Sequence, residues 1–315
     1  MQKQPIIYWL KWLISVVFVV ILYFRITDLH AMHFAIDQLI AEHWPLVLLS
    51  FLLVFVNWGL EALKWQLLLL QGIPVRWFEA LKYVLSGVTL GFITPGRTGE
   101  FAGRMILLPE GKRLQTIVLS MLGGIAQIIP IVLFGIFISI VGPFHVLGQM
   151  LDITLLTIAL LCFVFIYFYF NRCCEWQWLS TYLIKIDISS SIFPPLQQKV
   201  LVMVLAFLRF GVFVMQYALL LKAAGINFTA SSAPIGWMLL LQSFSPAVAL
   251  LDLGVRGNIA LWVFSSFGLM NNSVLSAVFL VWFINLCLPA LVGYFFILQW
   301  KKQNSQNNVV AHKSR

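Results

Sequence analysis

Long apolar runs constrain this chain more than any other feature of its sequence. Runs of about 20 residues recur along it, which is the length that an α-helix needs to cross a hydrocarbon core of roughly 30 Å. The chain is 61% hydrophobic and only 10% charged over its 315 residues. Because the alternating pattern of a membrane β-barrel does not occur, the sequence predicts an all-α polytopic protein of an inner or plasma membrane.

About six of these runs are long enough to be full membrane spans. They are predicted at residues 6–24, 44–70, 115–141, 153–170, 200–221 and 274–299. Residues 1–302 are thus predicted to form one transmembrane domain, followed by a polar tail at 303–315. Lysine and arginine asymmetry places both termini in the cytoplasm. Lys3 and Lys11 precede the first run without a convincing cleavage site, so this run is expected to be retained as an extra span.

The stretch from Thr94 to Arg104 interrupts the apolar pattern with one proline, three glycines and three charges. Each charge at mid-bilayer depth costs roughly 2.5 to 3.5 kcal/mol on insertion scales, so the stretch needs an interface or a polar cavity. The apolar pieces on its two sides, 83–93 and 101–108, are too short to span. We therefore predict a re-entrant hairpin that is entered from the cytoplasm. Its breaks are Pro95, Gly96 and Gly99.

A second stretch of the same character runs from Ser245 to Asn258, with breaks predicted at Pro246 and Gly254. By the count of crossings, this hairpin enters from the opposite side. Two units, at about 44–141 and 200–300, then form an inverted-topology repeat with the span 153–170 between them. In such repeats, broken helices meet near the midplane and form the binding site. The alternative is two unrelated proline and glycine kinks.

Polar side chains also lie inside the predicted spans. Asn57, Glu61 and Lys64 belong to the span 44–70, where Glu61 and Lys64 are three residues apart and can share a helix face. They form either a pair that snorkels to the cytoplasm or a polar stripe that faces the bundle interior. Arg209 is the most deeply placed lone charge in the predicted spans.

Several of these elements together resemble one family. They are Asn57-Trp58, Lys64-Trp65, Pro95-Gly96-Arg97-Thr98-Gly99-Glu100 with Arg104, and Gly254-Val255-Arg256. The chain resembles, over almost its whole length, the lysylphosphatidylglycerol synthase transmembrane region family of flippase-like integral membrane proteins. In that family the last element usually reads Gly-x-Gly-x-Arg-Glu, whereas here Asp252 and Leu253 precede Gly254, and Gly257 takes the glutamate position.

The resemblance implies a membrane module that moves a phospholipid or a lipid-linked head group between leaflets. Only a polar tail follows Lys302, so synthesis of an aminoacylated lipid by this chain alone is not expected. The expected partners are membrane lipids, above all an anionic phospholipid, and a lipid-synthesis enzyme is a further candidate. The net charge of +9 is interpreted as topogenic, which argues against nucleic acid as a partner.

Arginine suits the head group of such a lipid, because its planar fork can donate two hydrogen bonds to phosphate. The predicted substrate-binding residues are Arg97, Glu100, Arg104, Arg209, Asp252 and Arg256, with Asn57, Glu61 and Lys64 as supporting polar residues. The acidic residues are expected to balance the arginines when the site is empty. The two hairpin tips are expected to approach one another, and helix N-termini at the tips would add backbone amides for the same anion.

Two other functions remain open at the level of the sequence. One is a membrane-embedded transferase with Glu100 or Asp252 as general base, and the other is a scaffold for lipid synthesis that transports nothing. His30, His33 and His43 could be imagined as metal ligands, but they are interpreted as part of a polar interfacial loop. No nucleotide-binding loop or metal-ligand spacing is found, so no cofactor is expected and the chain is not predicted to be an enzyme.

Overall fold

The computed structural model of the protein describes residues 37, 39–94, 97–108, 112–175, 193–244, 249–269 and 272–299. Within these ranges the regular structure is helical and no strand occurs. Some of the predicted features lie outside the described residues. These are the extra span 6–24, the breaks Pro95, Gly96 and Pro246, and the polar tail 303–315.

The described helices are numbered here in chain order. They are α1 (Leu39–Leu69), α2 (Trp77–Ile93), α3 (Gly99–Ile106), α4 (Arg113–Val141), α5 (Gln149–Phe168), α6 (Phe170–Glu175), α7 (Leu196–Ala223), α8 (Phe228–Ser243), α9 (Ala249–Ser266) and α10 (Asn272–Trp282). The last helix passes through a π-helical turn, Phe283–Cys287, and then continues as a helix to Gln299.

Five of these helical stretches are long and apolar enough to cross a membrane. They are Leu39–Leu69, Gln115–Val141, Gln149–Phe168, Leu196–Ala223 and Ser273–Gln299. Each one overlaps a run that the sequence predicts as a span. The prediction of an all-helical membrane protein is therefore confirmed for the described part of the chain.

Helices α2 and α3 are shorter, at 17 and 8 residues, and they pack on one another at backbone contact. A Cβ atom added to Gly103 would overlap the carbonyl oxygen of Ser86, and one added to Gly91 would collide with the side chain of Glu100. Glycine is therefore required where the two helices approach most closely. This approach brings Glu100 and Arg104, both on α3, towards the interior of the bundle.

The turn between α2 and α3 is closed by Thr94. Its hydroxyl donates to the carbonyl of Leu90 at 3.0 Å and accepts the backbone N–H of Gly99 at 2.7 Å. Its carbonyl accepts the N–H of Arg97 at 3.2 Å. Arg97 has a φ of 56°, in the left-handed region that residues other than glycine rarely adopt, and such strain clusters at functional sites.

The second helix pair differs from its prediction at Gly254. This glycine does not break the hairpin, because it lies inside α9, which also contains Asp252 and Arg256. A glycine within a helix costs about 1 kcal/mol relative to alanine, and such a cost does not end a helix that its neighbours support. The Nδ2 of Asn258 donates to the carbonyl of Gly254 at 2.8 Å, within the same helix.

Helix α8 is enclosed by other helices over much of its length. It packs against α4, α7 and α9, and the residues from Pro234 to Leu240 are all buried. Its last residues are polar: Gln242 is buried and Ser243 is exposed.

Candidate functional site

The site is built around Glu61, a buried carboxylate on α1. Three cations contact it. They are the Lys64 Nζ at 2.6 Å, the Arg104 Nη2 at 2.9 Å and the Arg209 Nη1 at 3.0 Å. The side chains of Glu61 and Lys64 are only 4% and 3% exposed, so this pair faces the bundle interior and does not snorkel to the surface. Of the two interpretations of their spacing, the interior polar stripe is the one seen here.

Arg209, on α7, is not the lone charge that its sequence context suggests. Besides Glu61, its Nε donates to the Asn57 Oδ1 at 2.8 Å and its Nη1 donates to the Gln127 Oε1 at 3.2 Å. Its guanidinium also lies 5.2 Å from the centre of the Trp58 ring, a cation–π contact. Three helices, α1, α4 and α7, thus fix the position of one arginine.

Arg104 is held in a similar way from the α3 side. Its guanidinium lies 5.0 Å from the centre of the Trp65 ring and is hydrogen-bonded to Glu61. Its side chain is 10% exposed, and the Glu100 Oε2 lies 3.9 Å from its Nη2. Trp58 and Trp65 are seven residues apart on α1, which places both rings on the face that carries Glu61.

The tip of the α2–α3 pair adds a second ion pair, between Arg97 and Glu100. These side chains are 37% and 23% exposed, so the pair is more open than the cluster around Glu61. The sequence predicts that backbone amides at the start of α3 contribute to anion binding. The N–H of Gly99 is already bonded to the hydroxyl of Thr94, so this amide does not face a ligand.

A cavity of about 490 Å³ opens next to these groups. Three arginines line it: Arg97 of the α2–α3 turn, Arg209 of α7 and Arg256 of α9. Among the described residues that line it, none is acidic. The rest of the lining is partly polar and partly aromatic or aliphatic, and it includes Asn57, Trp58, Gln127, Phe210, Phe213, Leu239, Gln242, Val281, Trp282 and Asn285.

Arg256 reaches the cavity from the second helix pair. Its Nη1 donates to the Gln242 Oε1 at 2.8 Å, which joins α9 to the end of α8. Arg97 and Arg256 therefore face one cavity from two different helix pairs. Asp252 lies on the same helix as Arg256, one turn earlier, and its side chain is not among those described.

Three residues that line the cavity carry a buried N–H group with no acceptor in the described part of the protein. These groups are the indole Nε1 groups of Trp58 and Trp282 and the amide Nε2 of Gln242. The exposed fractions of these three residues are 7%, 8% and 7%. A buried donor without an acceptor costs about 1 to 3 kcal/mol, so the wall favours a ligand that brings acceptor oxygens.

Sequence reasoning missed three residues of this site: Gln127, Gln242 and Asn285. The Asn285 Oδ1 accepts from the Asn57 Nδ2 at 2.8 Å, and Asn57 in turn accepts from Arg209. Asn285 lies on the π-helical turn, and such turns are frequent at functional sites. A polar amide inside a long apolar run was the signal that could have identified all three.

No group of three or more histidine, cysteine, aspartate or glutamate side chains is placed to hold a metal ion in the residues that the structure covers. The chain was also compared with models of protein families, with curated proteins and with solved structures, and no match was found. The class of protein that the fold and site define is an all-helical membrane protein with a buried cationic cluster beside an arginine-lined cavity.

Proposed function

We propose that the chain is a flippase-like membrane protein that translocates a phospholipid, or a lipid-linked anionic head group, between the leaflets of a bacterial-type inner membrane. In this proposal both termini are cytoplasmic. The α2–α3 and α8–α9 pairs are re-entrant hairpins of an inverted repeat, as in transporter folds. The resemblance to the lysylphosphatidylglycerol synthase transmembrane region family supports the same function.

The observation that carries the proposal is the arginine-lined cavity. Arg97, Arg209 and Arg256 come from three separate parts of the chain, yet their side chains line one space. Charged residues inside a membrane domain are expensive and mark substrate pathways. Guanidinium groups that converge without an acidic residue on the described wall favour an anion with several oxygens, and phosphate fits this best.

The ion pairs around the cavity suggest how an anion would be accepted and released. In the empty site, Glu61 holds Arg209 and Glu100 holds Arg97. An entering head group competes with these carboxylates for the same guanidinium groups. Because the carboxylates are in place before the anion arrives and after it leaves, the arginines are paired at both stages. This exchange lowers the cost of keeping cations inside the membrane domain.

The size and lining of the cavity suit a lipid head group. Ligand pockets typically measure about 300 to 1,000 Å³, and a cavity of about 490 Å³ holds a head group while the acyl chains remain outside it. Phe210, Phe213 and Leu239 form apolar parts of the wall, and they suit the glycerol and the first methylene groups of a lipid.

The proposal can be tested in proteoliposomes of phosphatidylcholine that contain a fluorescent phosphatidylglycerol. Dithionite added outside bleaches only the outer-leaflet label, so translocation increases the bleachable fraction. We expect Arg97→Ala and Arg256→Ala to lower the initial rate about tenfold or more, since each removes charge-assisted hydrogen bonds to the head group. The matched control is Arg172→Ala, at an exposed arginine of α6, which should translocate normally.

Melting temperatures in detergent separate loss of transport from loss of folding. Unchanged translocation by Arg97→Ala and Arg256→Ala, at normal protein levels, would contradict the site assignment. A mass change of lipid extracts incubated with the purified protein would support a transferase instead. Lipid flux that does not depend on the protein, together with co-purification of a lipid-synthesis enzyme, would support a scaffold.

A further inference from the structure

The cluster around Glu61 carries more positive than negative charge. Lys64, Arg104 and Arg209 all contact Glu61, so three cations share one carboxylate and two positive charges are left uncompensated among them. The four side chains are between 3% and 20% exposed. A charge without a counter-charge is unfavourable in such surroundings, so the cluster favours the binding of an anion.

Among the side chains that the structure describes, the neighbouring charges do not remove this excess. Arg97 and Glu100 pair with each other, so together they add no net charge. Glu100 lies 3.9 Å from Arg104, which is a weaker contact than the one between Arg104 and Glu61. Arg256 donates to the neutral amide of Gln242 and is left out of the count. Lys64, Arg104 and Arg209 therefore keep an excess of two positive charges over the single carboxylate of Glu61.

Arg209 connects this excess charge to the cavity. Its guanidinium touches Glu61 on one side and lines the cavity on the other. Three further residues of the wall carry a buried N–H group with no acceptor in the covered residues: the indoles of Trp58 and Trp282 and the side-chain amide of Gln242. A ligand that fills this space would contact Arg209, the member of the Glu61 cluster that lines the cavity.

We infer that the cavity selects a doubly charged phosphate, either a phosphomonoester or a diphosphate, over a singly charged phosphodiester. A phosphomonoester carries about −1.5 to −2 at pH 7 and offers three terminal oxygens. It can therefore match both the charge excess and the N–H groups, whereas a phosphodiester brings one charge and two free oxygens. The inference rests on the proposed function for the lipid that carries this phosphate.

The test compares two lipids in nanodiscs. The purified full-length protein is placed in phosphatidylcholine discs that contain either phosphatidic acid, a phosphomonoester, or phosphatidylglycerol, a phosphodiester. Native mass spectrometry then counts the retained lipid. We expect phosphatidic acid to be retained about tenfold more than phosphatidylglycerol, which corresponds to about 1.4 kcal/mol. Equal retention of the two lipids would overturn the inference.

Two variants connect the preference to the cavity. Arg209→Gln should abolish it, because this change removes one of the two excess charges. Since Arg209 also contacts Glu61 and supports the fold, Trp282→Phe is the second variant, which removes one N–H donor and keeps every charge. We expect Trp282→Phe to lower retention of phosphatidic acid several-fold. Trp44→Phe, at a tryptophan that is 60% exposed, is the matched control and should retain it normally.

A separate arm distinguishes a lipid phosphate from a free one. Inorganic phosphate or pyrophosphate is added to plain phosphatidylcholine discs, and the melting temperature is measured. If pyrophosphate stabilises the protein as much as phosphatidic acid does, the ligand is a free phosphate and the lipid half of the inference fails. If neither phosphatidic acid, inorganic phosphate nor pyrophosphate raises the melting temperature, the whole inference fails.

The translocation assay described above tests the proposed function independently. Preferred binding of phosphatidic acid without any translocation would leave the inference in place and contradict the flippase. Equal binding and equal translocation of both lipids would contradict the inference and leave the flippase in place.

Discussion

The two helix pairs that end at the cavity differ in the contacts that the structure describes for their arginines. In the α2–α3 pair, Arg97 is bonded to Glu100 and Arg104 is bonded to Glu61, so each guanidinium has a carboxylate partner. In the α8–α9 pair, Arg256 donates to the neutral amide of Gln242 at 2.8 Å. The first pair also packs at backbone contact through glycine, whereas α8 is enclosed by apolar neighbours.

This difference predicts which helix pair stabilises the fold and which one mainly affects ligand binding. Removing one partner of a buried ion pair leaves an uncompensated charge and costs about 3 to 5 kcal/mol, while losing a neutral acceptor costs much less. The α2–α3 side should therefore be the part of the site that keeps the fold together. The α8–α9 side should be the part where substitutions change ligand binding with little effect on folding.

The largest effect is expected for Glu61→Gln. This change removes the carboxylate that three cations share, and we expect a loss of about 3 to 5 kcal/mol in stability or no folded protein at all. The measurement is the yield and melting temperature of the purified protein. Glu79→Gln, at an exposed residue in the first turn of α2, is the control and should melt normally. Equal melting temperatures would show that the cluster does not anchor α3.

Gly103→Ala is expected to have the next largest effect, about 2 to 3 kcal/mol, because the new methyl group overlaps the carbonyl oxygen of Ser86. Thermal unfolding measures it. The control is Gly211→Ala on α7, where an added Cβ meets nothing within 4 Å and helix propensity should even improve by about 1 kcal/mol. If both variants lose the same stability, close packing of α2 on α3 is not what positions Glu100 and Arg104.

Thr94→Val tests the turn of the α2–α3 pair. The variant keeps the side-chain shape but loses the acceptor for the Gly99 N–H, and we expect a loss of about 1 to 2 kcal/mol. Thr154→Val, at an exposed threonine whose hydroxyl bonds within its own helix, serves as the comparison in the same melting experiment. A Thr94 variant as stable as the Thr154 variant would mean that the hydroxyl does not hold the turn.

Gln242→Ala should have the smallest effect on stability and a clear effect on ligand binding. Arg256 loses a neutral acceptor, so we expect a change in stability within about 1 kcal/mol. Since Gln242 also lines the cavity, the lipid concentration for half-maximal translocation should rise several-fold. Gln149→Ala, at an exposed glutamine at the start of α5, is the control. A large drop in melting temperature for Gln242→Ala would remove the contrast between the two helix pairs.

Much of this architecture could be predicted from local sequence patterns. Apolar runs of spanning length predict the five long helices, because hydropathy depends only on consecutive residues. The spacing of Glu61 and Lys64 predicts one shared helix face for the same reason. The interruption at Thr94 to Arg104 predicts a helix break, and the chain indeed turns there between α2 and α3.

The choice of partners was decided only by the tertiary structure. The sequence predicts that Arg209 is a lone charge, whereas in the structure it contacts Glu61. Asn57 is hydrogen-bonded to Asn285, which lies 228 positions away in the chain. The sequence predicts a helix break at Gly254, but this residue lies within α9. Periodicity reports the environment of one helix at a time, whereas ion pairing depends on which helix faces are brought together. By itself, the sequence determined that cations enter the membrane domain, and the packing of α1, α3 and α7 decided that three of them share one carboxylate.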